Sequence, residues 1–488
     1  MNWTGQVQGA LLVLATMATG CIAPAKLAMQ PLGKDQELGQ EVSQTVEQEI
    51  GLYRDPGVSV YINTIGQRLL QHLSPAGFYY KFQLVDQAAP NAFAAPGGAI
   101  FISRGMLAMA NSESEIANII GHEIIHVERR HTAKQLAKQR FPNLLALPGR
   151  AVGVVNEDLG QMLISPIENI ESLYLADYSR QHEKQADRLG QRLSARAGYD
   201  PAALTDVLVR LAQEAEMRFG KKEEPQSWIN THPSTPQRVE DARRRAAKMA
   251  GPAGPTASEK SRFRANHLRR LEGLLVGPNP SLGLLIDQNF LHPNLDLFMA
   301  FPAGWDTLNT RRKVVSIAPD GEGLLLFGVR AQGHDPEAMG RQLIETIERE
   351  VKIKPTRAER VTTGAWPGYL VSFSDNTGPQ PLNLHLLWVA SRGWIYQLVG
   401  LAVDRHQTAM RDAALSLRPL TPKERESIQE TRIHIAAARQ GESLSDLTKR
   451  TGNAWSPRAT ALLNGLAEDQ PLPEGRLVKI ATRHVFLP

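Results

Sequence analysis

Apolar residues recur at four-residue spacing through Leu38, Val42, Val46 and Ile50, which predicts a helical stretch over residues 35–75. The period then changes. Residues 79–85 alternate as a strand does. A second strand, 99–103, follows through Asn91-Ala92-Phe93-Ala94-Ala95-Pro96-Gly97-Gly98, whose proline and glycines turn the chain. An exposed strand edge here can take on an extended peptide by main-chain hydrogen bonds, and a plain two-stranded ribbon gives the same pattern. Ser112 and Glu115 read as a capping box opening a helix, and the next proline is Pro142. Residues 141–177 hold apolar pieces with poor periodicity, readable as a lid or membrane-facing flap or as ordinary core helix. Helical spacing returns from Tyr178 to a loop at Gly198-Tyr199-Asp200-Pro201.

Gly251-Pro252-Ala253-Gly254-Pro255-Thr256-Ala257-Ser258 reads as a linker, closing a first unit near residue 250, and a basic helix from Glu259 to about Leu275 bridges onward. Over residues 280–420 strands mix with helices near 335–351 and 404–416, an α+β domain with no catalytic constellation. A last module, 425–488, runs strand, two helices, strand. The expected fold is multidomain α+β: a leader over 1–21, a mainly helical unit with a small sheet over 22–250, a linker and bridging helix over 251–279, the α+β domain, and a βααβ module.

With 488 residues the chain is too long for one ordinary core. A net charge of +5 spread over 50 acidic and 55 basic residues is not a nucleic-acid footprint, so no nucleic-acid partner is expected. The apolar run from Ala10 to Ala18 is too short for a permanent bilayer span and the right length for a signal-peptide core. It ends at Ala18-Thr19-Gly20-Cys21. Cys21 is the only cysteine, and small residues before it resemble a bacterial lipoprotein cleavage box, although Ala18 stands where that box usually has Leu. An ordinary secretory signal is the alternative. Either reading predicts an exported protein without a disulfide.

The chemistry concentrates in His122-Glu123-Ile124-Ile125-His126. On a helix, residues four apart differ by about 40° in direction, so both imidazoles leave one face at the spacing two zinc ligands need. Glu123 beside them can act as general base on a water made acidic by a metal. Downstream, Glu183 and Asp187 share a helix face one turn apart, which suits Glu183 as third ligand and Asp187 as acceptor for the second ring nitrogen of a ligand histidine. Two carboxylates on an arginine-rich helix can otherwise be a solvated face.

Four motifs then coincide in order: Asn91-Ala92-Phe93-Ala94 with Pro96-Gly97-Gly98; residues 122–131; Ser179-Arg180 through Glu183 to Ala186-Asp187 and Gly190; and Thr231-His232-Pro233-Ser234-Thr235-Pro236 with Arg238. Over about residues 35–250 the chain resembles the zinc metallopeptidases of the HtpX and CAAX prenyl endopeptidase family, in its exported BepA-like (YfgC) branch. The resemblance implies one zinc ion (Zn2+) per chain on His122, His126 and Glu183, with Glu123 as general base. It implies unfolded or misassembled envelope proteins as substrates, and a periplasmic, outer-membrane-anchored lipoprotein of a Gram-negative bacterium held by lipid on Cys21. His131 matches the family pattern, but lies about 180° around the helix from His122, so its role is structural. Arg238 is an oxyanion or structural candidate. His232 is a regulatory ligand by resemblance, filling the open zinc position; packing its loop or binding an oxyanion are the alternatives. Residues 425–488 are similar to LysM modules through Gly441-Glu442-Ser443-Leu444, Asn464 and Leu477-Val478-Lys479-Ile480, which implies peptidoglycan as partner. An envelope chaperone or assembly factor, or a cell-wall-binding protein with a mostly silent protease, is the rival reading.

Overall fold

In a computed structural model, the protein is described over residues 32–74, 77–133, 178–219, 228, 232, 235–249, 255–350, 352, 354–364, 366–375 and 381–487. The leader, Cys21 and the 141–177 stretch lie outside these residues.

The expected helical stretch 35–75 is two helices, α1 (Leu32–Glu49) and α2 (Pro56–Leu70), which corrects the single run. The break has a local cause. Gly51 takes a left-handed φ of 86°, and Asp55 caps α2 by accepting from Val58 N at 3.0 Å with Pro56 in the first turn. Strands β1 (Lys81–Val85), β2 (Ala92–Ala94) and β3 (Ala99–Ser103) form a sheet in the order β1-β3-β2, parallel between β1 and β3 and antiparallel between β2 and β3. β2 is therefore a sheet edge, and it packs beside the helix that carries the two spaced histidines.

Short α3 (Arg104–Met109) leads into that helix, α4 (Glu113–Glu128), which is buried continuously from Ser114 to Val127. Only half of the expected capping box forms. Ser112 Oγ accepts from Glu115 N at 3.2 Å, whereas the Glu115 carboxylate accepts from Asn111 N at 2.8 Å and pairs with buried Arg210 at 2.7 Å. Then come α5 (Arg180–Arg196), α6 (Ala203–Phe219), α7 (Pro236–Met249) and α8 (Ala257–Arg270). The basic helix α8 contributes Phe263 to the same core as Ile62, Ile119 and Leu208.

A two-residue strand β4 (Leu275–Val276) precedes the α+β part. There β5 (Leu284–Ile286), β6 (Asn289–His292) and β7 (Leu297–Ala300) make a small antiparallel sheet. A seven-stranded antiparallel sheet has the order β11-β12-β13-β14-β10-β9-β8. Its strands are β8 (Asp306–Asn309), β9 (Lys313–Ile317), β10 (Gly323–Gln332), β11 (Arg357–Thr363), β12 (Trp366–Asp375), β13 (Leu382–Ser391) and β14 (Trp394–Val403). Period-two alternation along β13 sends Leu384, Leu386 and Trp388 to one face, under α9 (Pro336–Glu350). It sends Leu387 and Val389 to the other, where α10 (Gln407–Leu415) and the small sheet lie.

After α11 (Pro422–Ser427) the last module runs β15 (Gln429–Ala437), α12 (Leu444–Thr451), α13 (Pro457–Asn464), β16 (Leu477–Val485), the βααβ order the sequence suggests. It is fastened to the helical unit. β4 pairs with β15 as third strand, and the fully buried Lys479 donates to Ala108 O at 2.6 Å and Ala110 O at 2.7 Å, just ahead of α4.

Nearby, His267 is fully buried, its Nε2 3.1 Å from Leu107 O and 3.0 Å from Ala110 O, and its Nδ1 2.7 Å from the Tyr61 hydroxyl. Nε2–H donates to the carbonyls while Nδ1 accepts from Tyr61, so the neutral ring suits the site. Burial, with the Lys479 charge second, lowers its pKa from 6.5 to about 3. A folded-state pKa below the unfolded one means stability present above pH 6.5 and lost as pH falls through that window toward 3. Thermal melts across that range should therefore show a shallower acid decline for His267→Gln, which keeps a donor but cannot titrate.

Candidate metal centre

The centre is assembled where α4 and α5 cross, and two glycines set the closeness of that crossing. A Cβ on Gly190 would stand 2.7 Å from His122 N and 2.8 Å from Gly121 C, and one on Gly121 would stand 3.0 Å from Gly190 O. Only backbone fits there. With the helices this near, Glu183 and Asp187 on α5 reach the histidines of α4.

His122, His126, Glu183 and His232 place one donor atom each within 4.8 Å of one another, the one such cluster among the described residues. His122 Nε2 lies 3.0 Å from His126 Nε2 and 3.2 Å from His232 Nδ1. Glu183 Oε1 lies 3.3 Å from His126 Nε2 and 2.9 Å from His232 Nδ1, and Glu183 Oε2 lies 3.6 Å from His122 Nε2. A tetrahedral zinc with ligands ~2.0–2.1 Å away sets ligand separations of roughly 3.3 Å, so these spacings are those of four donors around one ion. His232 Nε2 and Glu123 Oε2 are buried without a hydrogen-bond partner in this arrangement. The residues fit zinc.

The partners behind the donors fix their orientation. His122 Nδ1 donates to Asp187 Oδ1 at 3.0 Å, the contact the sequence spacing suggests. Asp187 accepts from Arg238 Nε at 2.9 Å and Nη2 at 2.8 Å, and Arg238 Nη1 also reaches Glu183 Oε2 and the His232 carbonyl, both at 2.9 Å. Arg238 thus braces the cluster from behind.

His131 corrects the helical-wheel argument. α4 ends at Glu128, so His126 sits in the last turn, not mid-helix, and Arg130 at φ 54° turns the chain back. His131 is no donor in the cluster. Its Nδ1 comes within 3.3 Å of His126 Nδ1 and its Nε2 within 3.0 Å of Gln185 Oε1. With the His126 Nε2 lone pair turned to the cluster, His126 Nδ1–H donates to His131, whose Nε2–H donates to Gln185.

Glu123 lies on the adjacent side, wholly buried, its Oε1 3.4 Å from Trp228 Nε1 and 3.7 Å from His232 Nε2. Trp228 stacks on His232 with ring centres 4.8 Å apart, and Arg238 lies 5.4 Å over its ring. Nothing in the sequence marked Trp228; a lone tryptophan carries no spacing.

Electrostatics favour a cation. Burial pushes the Glu123 carboxyl up, offset by His232 and His122. Burial would also raise Glu183 and Asp187, but His232 and His122 hold Glu183 well below its ordinary range, and Arg238 with His122 does the same for Asp187. Burial, with the neighbouring His122 and His232, lowers His126 well below its ordinary range, whereas Glu183 and Asp187 overcome burial at His122. Three carboxylates against one guanidinium leave the pocket short of positive charge.

The donor set is that of a zinc metalloprotease, and residues 59–246 match the family model described as Peptidase family M48. Among curated relatives, the chain is 29% identical over 222 residues to the Beta-barrel assembly-enhancing protease of Escherichia coli (strain K12), covering 45% of each chain. It is 33% identical over 218 residues to the protein of that name from Yersinia pestis, covering 43% of each. It is also 32% identical over 168 residues to the Mitochondrial metalloendopeptidase OMA1 of Saccharomyces cerevisiae, covering 34% of this chain and 46% of that one. The chain thus spans less than half the length of these relatives.

Gly190→Ala should force α4 and α5 apart. The expected cost is about 1–3 kcal/mol in thermal unfolding, together with zinc bound substoichiometrically after dialysis by metal analysis. Full zinc content at wild-type stability would show that the crossing tolerates a methyl.

Proposed function

We propose that the chain is an exported zinc endopeptidase that cuts unfolded or misassembled envelope proteins, with its resting site closed by His232. The observation that supports it best is the four-donor cluster with Glu123 beside it. Zinc on these residues supplies Lewis-acid polarisation of the peptide carbonyl and acidifies water. His122, His126 and Glu183 are the permanent ligands in this reading, held by Asp187, Arg238 and the His131–Gln185 relay. Glu123 takes the proton of the attacking water and returns it to the leaving amine. β2 ends the sheet beside α4, and in this reading a substrate in extended form lies along that side of the site.

A zinc peptidase needs one position open for water or substrate, and His232 stands at the fourth donor position with 0% exposure. Trp228 covers Glu123 from the same segment. In this reading the segment withdraws when substrate enters. The relatives whose name is beta-barrel assembly-enhancing protease support an envelope setting, with lipid on Cys21 and peptidoglycan bound through a LysM-like 425–488 module as its anchors.

Two variants test the reading. Glu123→Gln should keep zinc and lose casein hydrolysis about a hundredfold or more; turnover near wild type with a chelator-sensitive control would sink the mechanism. His232→Ala at equal zinc content should raise the initial hydrolysis rate roughly tenfold by enlarging the open fraction. A fall in rate would assign His232 to structure or transition-state binding.

A further inference from the structure

The α+β domain holds a cavity of about 320 Å³ between α10 and the seven-stranded sheet. Register sets its walls. Arg357, Ser372, His385, Gly400 and Leu325 stand in one row across β11, β12, β13, β14 and β10, and Leu370, Leu387 and Leu398 in the next. The first row gives the cavity a polar end, where Arg357 and His385 line it, and Ser372 Oγ, 2.8 Å from His385 Nδ1, holds that ring in place. The second row gives an apolar floor. Ala414 and Met410 of α10 form the roof, and Arg411 stands at the rim.

Three observations say what fits. The lining carries two arginines and a histidine, and no acidic side chain among the described residues. Arg357 is tied only to Glu359 at the surface, its side chain 58% exposed, so the guanidinium is available at little cost. Thr363, on the same strand face as Arg357 and Val361, closes the far end of the lining and is 1% exposed. The volume sits at the small end of the ~300–1,000 Å³ of small-molecule sites, enough for one short aliphatic chain and too little for a two-chain lipid or a folded partner.

We propose that this cavity binds a single-chain aliphatic carboxylate, its head on Arg357 and His385 and its tail over Leu370, Leu387 and Leu398. Arg357 supplies a planar fork matched to a carboxylate. The apolar rows take the chain, and the site is independent of the metal centre and of any peptidase activity.

The test is binding of dodecanoate to the purified full chain by calorimetry, with dodecanol as the uncharged control. Wild type should bind dodecanoate saturably and dodecanol at least about tenfold more weakly. Arg357→Gln, at an exposed side chain, should weaken dodecanoate about tenfold and leave dodecanol unchanged. Ala414→Phe, which fills the roof, should remove both. Absence of saturable dodecanoate binding to wild type overturns the proposal. So does undiminished affinity in Arg357→Gln, whatever the cavity-filling variant does.

Discussion

The contact on which the site depends is between two backbones. Gly121 and Gly190 let α4 and α5 meet with no side chain between them, and every functional distance follows from that approach. Glu183 and Asp187 are one turn apart on α5, and His122 and His126 one turn apart on α4. Two rigid rows facing each other this closely put a carboxylate opposite each imidazole: Glu183 Oε1 is 3.3 Å from His126, and Asp187 Oδ1 is 3.0 Å from His122. Wider spacing would break both contacts together, because helices move as units and side-chain reach is short.

Burial then turns geometry into chemistry. α4 is covered along its whole middle, so its polar groups have protein and not water for partners. The two donor histidines of α4 are anchored through their far nitrogens, His122 through Asp187 to Arg238 and His126 through His131 to Gln185. The two chains are of opposite kinds. The first ends in a full ion pair and holds negative charge against the cluster, whereas the second ends in a neutral amide. Arg238 also holds the His232 carbonyl, so the residue that orients a permanent ligand also positions the fourth donor. Closing the site and bracing it are therefore parts of one network.

The sequence showed the chemistry more clearly than the packing. The four-residue spacing of His122 and His126, and of Glu183 and Asp187, is a helical signal that survives without tertiary information, and the contacts between them lie where that spacing points. The residues missed act through space. His131 reads from the sequence as structural and not a ligand, but the helical-wheel reason for it assumes that the helix goes on, and Arg130 ends it, which brings His131 against His126. Glu115 looked like the second half of a capping box, but buried Arg210, far along the chain, takes its carboxylate. Trp228 had no pattern to read, since what matters is that its ring covers His232 and its Nε1 reaches Glu123. The α+β domain was legible as strands and helices, but its cavity depends on register between five strands, which no single strand encodes.

Lys479 shows what the last module contributes to the metal helix. A fully buried amine is tolerated only where oxygens replace its water, and here Ala108 and Ala110 supply two carbonyls at 2.6 and 2.7 Å, while burial holds Lys479 well below the usual lysine range. Those carbonyls sit in the last turn of α3 and at its C-cap, and Ala110 O also takes a hydrogen bond from His267. The segment that leads into the N-cap of α4 is thus held from two sides, by β16 and by α8. Removing the module would take the Lys479 donor from both carbonyls just ahead of α4, so the strand that closes the chain's last module is also part of what holds the metal helix at its start.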